Sequence, residues 1–298
     1  MINFTMTNDE ARLYLEQLRW PNGAQCPFCR LHQVTRMQSK RNGLYQCNRC
    51  RKQFTVTVGT IFERSHIPLS KWITAFHLLC ASKKGMSAMQ LSRMLGVTYK
   101  SAWFMAHRIR HAMTRQYMTS LQGIVEVDET YCGGKAKNGP RGRGALKKTP
   151  VLAILQRHGS IRARVVRTVS ARDLRSAIRA NVHEDSVIMT DDYRVYRSLD
   201  EEFAGHHAVK HTRREYVRGA AHINGCESFF ALLKRGLYGS FHHVSRRHLH
   251  RYCQEFAFRW DYRQVDDDIR TRKALSLAEG KRLRYRMLTN GQAAKATN

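Results

Sequence analysis

Three acidic side chains stand at positions where a protein can hold divalent metal ions. Asp128 ends the apolar run IVEVD, Asp191 ends the apolar run SVIMTD, and Glu227 lies in the helical pattern HINGCESFFALLKRGL. Strand ends on a rigid frame commonly carry functional groups, and carboxylate oxygens favour Mg²⁺ or Mn²⁺. Acids from three elements can hold two ions about 3.5–4 Å apart, one for the attacking and one for the leaving oxygen of a displacement. Three nearby acids are interpreted as solvated neighbours: Glu126, Glu129 and Asp192.

The helix that carries Glu227 offers further candidates for the same site. At about 100° per residue, Asn224, Glu227 and Lys234 fall in one row beside an apolar stripe that should pack on a sheet. That stripe comprises Ile223, Cys226, Phe230, Leu233 and Leu237. We expect Glu227 to be the third metal ligand and Lys234 to face a phosphate group. Asn224 is either the true third ligand or a partner of it, and a Glu227–Lys234 pair on a solvated face is the bland alternative.

The order of elements around these acids predicts the fold. A strand at 124–134 precedes a hairpin over 151–169, a helix at about 171–182 and a second apolar strand that ends at Asp191. An RNase H-like fold needs this order, with the first acid on the first strand, the second after the fourth strand and the third on a later helix. We therefore predict an α/β protein whose catalytic core, residues 121–265, is RNase H-like.

Four cysteines form two C-x2-C pairs that predict a zinc site. Cys26 and Cys29 form CPFC, Cys47 and Cys50 form CNRC, and seventeen residues lie between the pairs. This spacing is typical of a tetrahedral structural zinc ion. So short a segment cannot bury enough surface to fold alone, and zinc can contribute about 10–16 kcal/mol of coupled folding energy. We predict a zinc ribbon over 21–60, which either contacts phosphate through its many cations or serves only as a structural staple.

Residues 65–120 have the pattern of a helical DNA-binding region. Two amphipathic segments meet at Gly96, with Thr98 as the N-cap of the second. This is the spacing of a helix–turn–helix, although an ordinary helical hairpin is the alternative. The first helix and its turn contain the apolar residues Met89, Leu91, Met94, Leu95 and Val97. The start of the second helix supplies the predicted DNA contacts Tyr99, Lys100 and Ser101.

The charge balance predicts a polyanionic partner. There are 52 lysines and arginines against 23 acids, which gives a net charge of +29 and a pI near 10.4. Nucleic acid is the first candidate and an anionic membrane the second. The membrane is disfavoured because no run of about 18 apolar residues occurs. The N-terminus lacks a secretory signal, so we expect a cytoplasmic, nucleoid-associated protein.

The remaining segments complete the predicted organisation. A short amphipathic helix occupies residues 1–20, and a basic tail occupies 266–298. Between the first acidic strand and the hairpin, the glycine-rich loop 133–149 is expected to contact the DNA backbone. Its cations are Lys135, Lys137, Arg141, Arg143, Lys147 and Lys148.

Several segments together resemble bacterial insertion-sequence transposases of the DDE class, of the ISXO type related to the Merlin superfamily. They are CPFC…CNRC…FTVTVGTIFERSHIPLSKW, VEVDETYCGGK, TDDYRVY, HINGCESFFALLKRGLYGSFHHVSRRHLHRY and EFAFRWDYR, and they cover most of residues 20–265. The resemblance implies a zinc ribbon, a helical DNA-binding part and an RNase H-like core. It implies metal-dependent hydrolysis at transposon ends, then attack of the freed 3′-hydroxyl on target DNA. Relatives vary the third acidic position between Glu and Asn, and this chain carries both.

The same resemblance implies double-stranded DNA as partner, both at the ends and at the target, and at least a homodimer in the synaptic complex. Two other functions fit the residues. A DNA-binding regulator would use the ribbon and the helix–turn–helix while the acids are structural. A structure-specific nuclease would use the same fold to cut DNA without joining it.

Overall fold

The computed structural model describes residues 5–39, 42–115, 117–133, 148–210 and 217–289. The chain divides into two compact units. The helical unit comprises Met1–Met113 together with Val265–Asn298, and the sheet unit comprises Thr114–Gln264. No helix among the described residues is long and apolar enough to cross a bilayer.

The elements follow one another in this order: α1 (Asn8–Arg19), β1 (Val34–Arg36), β2 (Tyr45–Cys47), β3 (Gln53–Phe54), α2 (Leu69–Ala81), α3 (Ala88–Leu95), α4 (Tyr99–Met113), β4 (Ile124–Cys132), β5 (Thr149–Gln156), β6 (Ile161–Val165), α5 (Ala171–Arg179), β7 (Val187–Asp191), β8 (Gly205–Val209), α6 (Asn224–Arg235), α7 (Leu249–Asp261), α8 (Asp267–Ser276) and α9 (Tyr285–Thr289). A π-helical turn at Gly236–Ser240 extends α6.

The first helix begins where its capping residues predict. The Thr7 hydroxyl accepts the Glu10 N–H, and the Glu10 carboxylate accepts the Thr7 N–H, which is a capping box. After α1, the three short strands β1–β3 form an antiparallel sheet. Trp20, Tyr45 and Phe54 pack edge to face or stacked between this sheet and the end of α1. The small sheet therefore has an aromatic core of its own beside the cysteines.

The helical unit combines an N-terminal and a C-terminal segment of the chain, which pack together through helices. Helix α2 buries Trp72 and Phe76 and packs against α8, where the Arg270 guanidinium donates to the Cys80 carbonyl at 3.1 Å. The described part of 266–298, the predicted basic tail, contains α8, which buries Thr271, Ala274 and Leu275.

The sheet unit has five strands in the order β6-β5-β4-β7-β8. Strands β4, β5 and β6 are antiparallel neighbours, whereas β7 and β8 run parallel to β4. One face packs through Val125, Val127 and Ile188 against Leu174 and Ile178 of α5. The other face packs against α6 and α7. This mixed sheet between helices, with its elements in the predicted order, confirms the predicted RNase H-like α/β fold.

Candidate active site and zinc centre

Asp128, in the middle of β4, and Asp191, at the carboxyl end of β7, lie side by side on parallel strands, at the sheet edge where β7 ends. The pairing of β4 with β7 sets Glu126 opposite Met189, and each aspartate follows two residues further along. Because side chains alternate along a strand, both aspartates emerge at the same level on the face of Glu126 and Met189. Met189 packs there with Ile223, at the start of α6. The two aspartates therefore share the face that α6 covers.

The electrostatics of Asp128 show that several carboxylates crowd this edge. Burial, together with the charges of Glu129, Asp191 and Glu227, raises the pKa of Asp128 to about 8, although a backbone N–H from Glu129 at 2.8 Å lowers it. Like charges held together in this way are stabilised by a bound cation. The oxygen-only donor set fits Mg²⁺ or Mn²⁺.

The carboxylates do not form a compact single-ion cage. Among the described residues, the cysteine quartet is the one group of three or more ligands whose atoms all lie within 4.8 Å of one another. Asp128, Asp191 and Glu227 are spread more widely. Two ions about 3.5–4 Å apart require ligands spread over a longer span than one ion does, so this spacing is compatible with a pair.

Helix α6 presents the two faces that its sequence predicts. The apolar stripe Ile223, Cys226, Phe230, Leu233 and Leu237 is buried, and Phe229 is buried as well. Asn224 and Glu227 are exposed, and Lys234 is half-buried. Burial raises the pKa of the Cys132 thiol to about 11, although the nearby positive charge of Lys234 lowers it. The ammonium therefore lies near the carboxyl end of β4.

Glu126 is a buried residue beside the candidate site that sequence reasoning assigned wrongly. It was predicted to be solvated, yet it is 1% exposed. One carboxylate oxygen accepts the N–H groups of Gly225 at 2.8 Å and Cys226 at 3.1 Å. The N-cap of α6, Ile223, has no side-chain acceptor, so a strand residue caps this helix and complements its dipole. The alternation of β4 was the available signal, because it places Glu126 on the face of Asp128.

Arg157 completes this arrangement. Its guanidinium donates to the other Glu126 oxygen at 2.8 Å and to the carbonyls of Ala220 and His222, each at 2.8 Å. The Nδ1 atom of His222 lies 3.3 Å from the same Glu126 oxygen. The Glu126–Arg157 ion pair thus ties residues 220–222, the approach to α6, to strand β4.

Glu129 is not a solvated neighbour either. Its carboxylate accepts the hydroxyl of Tyr196 at 2.6 Å, and Tyr196 is fully buried. Burial and the Glu129 charge raise the pKa of Tyr196 well above its ordinary value. The segment TDDYRVY after β7 is thereby linked to β4, because Tyr196 reaches back to the residue next to Asp128.

The four predicted zinc ligands are brought together. The Sγ atoms of Cys26 and Cys50 lie 3.6 Å apart, and those of Cys29 and Cys47 lie 3.5 Å apart. Sulfur ligands about 2.3 Å from a tetrahedral zinc ion lie about 3.8 Å from each other, so the quartet fits the ion. It would supply a structural cross-link between the two halves of the ribbon.

The two halves repeat one backbone design. The N–H of Arg30 donates to the Cys26 carbonyl, and the N–H of Arg51 donates to the Cys47 carbonyl, both at 2.9 Å. Each arginine follows a C-x2-C pair and has a positive φ, 64° and 59° respectively. Glycine is the usual residue at such positions, so the backbone carries some strain at both turns.

The helix–turn–helix pattern is present as α3, a turn and α4. Gly96 ends α3 in the left-handed conformation, and the Thr98 hydroxyl accepts the Ser101 N–H at 3.2 Å as the predicted cap. Of the apolar residues of α3, Leu91 and Leu95 are buried. Met89 and Met94 are instead 53% and 54% exposed, because only one side of so short a helix faces the core. Of the predicted contact residues, Tyr99 and Lys100 are exposed and Ser101 is half-buried.

The basic loop lies largely outside the described residues. This applies to Lys135, Lys137, Arg141, Arg143 and Lys147, whereas Lys148 is half-buried just before β5. The other four cysteines, predicted to be small buried side chains, are buried: Cys80, Cys132, Cys226 and Cys253.

Comparison with known proteins finds a family match for an N-terminal segment and for most of the sheet unit. Residues 6–53 match the transposase zinc-ribbon domain, and residues 120–261 match the ISXO2-like transposase domain. A protein of the transposable element ISH50 from Halobacterium salinarum is 33% identical over 263 residues, which cover 82% of this chain and 88% of that protein. A transposase-like protein from Haemophilus influenzae is 29% identical over 111 residues, covering 37% of this chain and 89% of its own length.

Among solved structures, the Mos1 transposase paired-end complex with left transposon end matches with a TM-score of 0.30 and 14% identity, over 69% of this chain and 75% of that one. A likeness of this size carries no argument about chemistry. The domain matches and the ISH50 relative are sufficient: the chain belongs to the ISXO2-like transposase family, with a zinc ribbon at its N-terminal side.

Proposed function

We propose that the chain cleaves phosphodiester bonds at transposon ends and joins the freed 3′-hydroxyl to target DNA, with two Mg²⁺ or Mn²⁺ ions held at the sheet edge. The observation that carries this proposal is the register of β4 and β7, which sets Asp128 and Asp191 side by side on the face covered by α6. The family membership of the chain supports the same reaction class.

The chain's own groups act in this proposal by holding and orienting. Asp128 and Asp191 supply carboxylate oxygens from rigid strands, and Glu227 supplies the third from α6, with Asn224 as the alternative. Bound ions would lower the pKa of the attacking oxygen and stabilise charge on the leaving oxygen. Lys234 would meet a DNA phosphate beside them. Glu126 and Arg157 fix the start of α6, so the third ligand keeps its place while DNA binds.

The two steps balance without an external energy source. In the first, water attacks a phosphorus atom, the bond to the 3′-oxygen breaks, and a free 3′-hydroxyl and a 5′-phosphate result. In the second, that hydroxyl attacks a target phosphodiester and releases a new 3′-hydroxyl. One phosphodiester bond forms as another breaks. The 3′-oxygen leaves in the first step and attacks in the second, so one pair of bound ions could serve both steps in turn.

DNA would be held by the strongly basic helical unit and by the loop after β4. Tyr99, Lys100 and Ser101 at the start of α4 would contact the transposon end, and the ribbon's arginines would contact its backbone. A dimer or larger assembly would join two ends in one complex. Such backbone contacts predict a steep loss of affinity with added salt.

The test is a cleavage and strand-transfer assay on a duplex that carries the transposon end, with Mg²⁺. Asp128→Asn and Asp191→Asn should lose both cleavage and joining by at least about 100-fold while they still bind the duplex. Asp185→Asn removes a carboxylate that is 88% exposed and serves as the matched control. Full activity in the first two variants would refute the site. Binding without cutting in the wild type would indicate a regulator, and cutting without joining a nuclease.

The third ligand is tested separately. Glu227→Gln keeps size and one oxygen while it removes the charge, and Asn224→Ala removes the amide. Each is compared in Mg²⁺ and in Mn²⁺ over a range of concentrations. The variant that needs more metal for half-maximal cleavage identifies the ligand. Equal wild-type metal dependence in both would mean that neither residue binds an ion.

A further inference from the structure

An open cleft in the helical unit is lined mainly by cations. Its volume is about 430 Å³, and it lies between the turn after the zinc ribbon, α4 and the segment that leads into α9. Five arginines and a single acid line it: Arg64, Arg108, Arg282, Arg284, Arg286 and Glu63. None of these residues belongs to the zinc site or to the acidic sheet edge.

Arg108 forms the floor of this arginine cleft. It is 3% exposed, and its guanidinium lies 5.3 Å from the ring centres of both Trp72 and Phe104. One terminal nitrogen donates to the Glu63 carbonyl at 2.9 Å, whereas Nε has no hydrogen-bond partner among the described residues. A buried guanidinium with an unsatisfied N–H is costly unless an anion reaches it.

The acid in the cleft is already engaged elsewhere. One Glu63 oxygen accepts the Gly59 N–H at 3.0 Å, and the other pairs with Arg282 at 3.1 Å. Burial and the charge of Arg282 lower the pKa of Arg108 to about 10, so it remains a cation at neutral pH. The cleft thus holds an excess of positive charge that its own carboxylate does not neutralise.

The segment that leads into α9 forms one wall of the cleft, and apolar contacts hold it in place. Leu283 and Leu288 are buried, and the Tyr285 ring packs edge-on against Phe104 at 5.4 Å. The Lys100 ammonium lies 5.0 Å from the centre of the same Tyr285 ring. The cleft is therefore continuous with the start of α4, where the helix–turn–helix presents its predicted DNA contacts.

We propose that this arginine cleft binds a backbone phosphate of the DNA that lies along the start of α4. Arg108 would present a fixed guanidinium from the floor, and Arg284 and Arg286, both exposed, would close on the phosphate from the rim. A guanidinium matches two phosphate oxygens at once, and a rigid, half-stacked one loses little freedom on binding. The inference rests on the proposed DNA binding, but it is independent of the chemistry at the acids.

The experiment measures binding of the transposon-end duplex by fluorescence anisotropy at several salt concentrations. Arg108→Met keeps the length and the apolar packing of the side chain. It should lower the slope of log K against log salt by about one and weaken binding about tenfold at low salt. The rim variant Arg284→Ala/Arg286→Ala should lower the slope similarly. Arg172→Ala removes one charge from an exposed position on α5 and should leave the slope unchanged.

The rim variant keeps the test decisive, because it alters exposed side chains even if Arg108→Met fails to fold. A wild-type salt slope in the rim variant, or in a folded Arg108→Met protein, overturns the proposal. Stabilisation by inorganic phosphate together with an unchanged DNA slope would mark a free-anion site and also overturns it. Cleavage is measured in parallel: a lowered salt slope in the variants, together with a wild type that binds DNA but never cuts it, would refute the proposed chemistry alone.

Discussion

The carboxylate of Glu126 accepts the backbone N–H of Gly225 at 2.8 Å, and so a residue of β4 caps the helix that carries Asn224 and Glu227. The contact joins two elements that lie far apart in sequence and directly supports the candidate site. It also demands a close approach. A Cβ atom on Gly225 would lie 2.2 Å from Leu155 Cδ2 and 2.7 Å from the Glu126 oxygen.

Gly225→Ala should therefore displace the start of α6. We expect a loss of about 1–3 kcal/mol in the free energy of unfolding from overpacking. We expect a far larger effect on cleavage, at least about 100-fold, because a shift of about 1 Å at a catalytic group can have that effect. Urea unfolding and the cleavage assay give the two numbers. Gly239→Ala, where a Cβ meets nothing within 4 Å, is the control and should change neither. Near-normal cleavage by Gly225→Ala would show that α6 tolerates the shift.

Glu126→Gln should destabilise the sheet unit by about 3 kcal/mol, since it leaves the half-buried Arg157 guanidinium without its carboxylate. A double-mutant cycle with Arg157→Met measures the coupling, which we expect to be about 1–3 kcal/mol. The exposed Glu184→Gln is the control. A coupling near zero would mean that the pair does not hold the approach to α6.

Asp128→Asn should make the protein more stable at high pH when divalent cations other than zinc are absent. The folded-state pKa of about 8 lies above the ordinary value of 3.8, so the folded chain keeps a proton that the unfolded chain releases. Wild-type stability should then fall as pH rises from about 4 to 8 and level off above that range. The variant should gain a few kcal/mol over the wild type at pH 9, and much less near pH 5.

Urea unfolding in magnesium-free buffer at both pH values checks this expectation, with Asp185→Asn as a control that should show no such difference. Added Mg²⁺ should narrow the gap, because bound cations stabilise the charged acids of the wild type only. If the stability difference between variant and wild type is the same at both pH values, it does not arise from the ionisation of Asp128.

Cys26→Ser and Cys47→Ser should each lose the zinc ion and unfold the ribbon. The wild type should hold one zinc per chain, and the loss should remove about 10 kcal/mol or more of coupled folding energy from this segment. Atomic absorption gives the metal content, and near-ultraviolet circular dichroism reports the aromatic core around Trp20. Cys253→Ala, a fully buried cysteine outside the quartet, should keep its zinc. Retained zinc in both serine variants would rule out the four-sulfur site.

The sequence was most informative where residues close together in the chain decide the structure. The C-x2-C pairs, the alternation up to Asp128 and Asp191, and the stripe of α6 all follow from local periodicity. The alternation of β4 sets Glu126 on the face of Asp128, but its partners were not predictable, because they are backbone N–H groups about a hundred residues away. Helix α8 was missed for a related reason: half of its segment DDIRTRKALS is charged, and it packs against α2 through small residues such as Thr271 and Ala274.

Because α8, near the C-terminal end, packs on α2, the helical unit is completed late in synthesis. The apolar face of α2, with Trp72 and Phe76, emerges early, whereas its partner helix follows only after the whole sheet unit has been made. At about 5–20 residues per second, that interval is on the order of ten seconds or more. During it the half-built helical unit lacks both α8 and the arginines of the last segment. A nascent chain would thus complete its helical unit only after its sheet unit has been synthesised, which couples the two units in time.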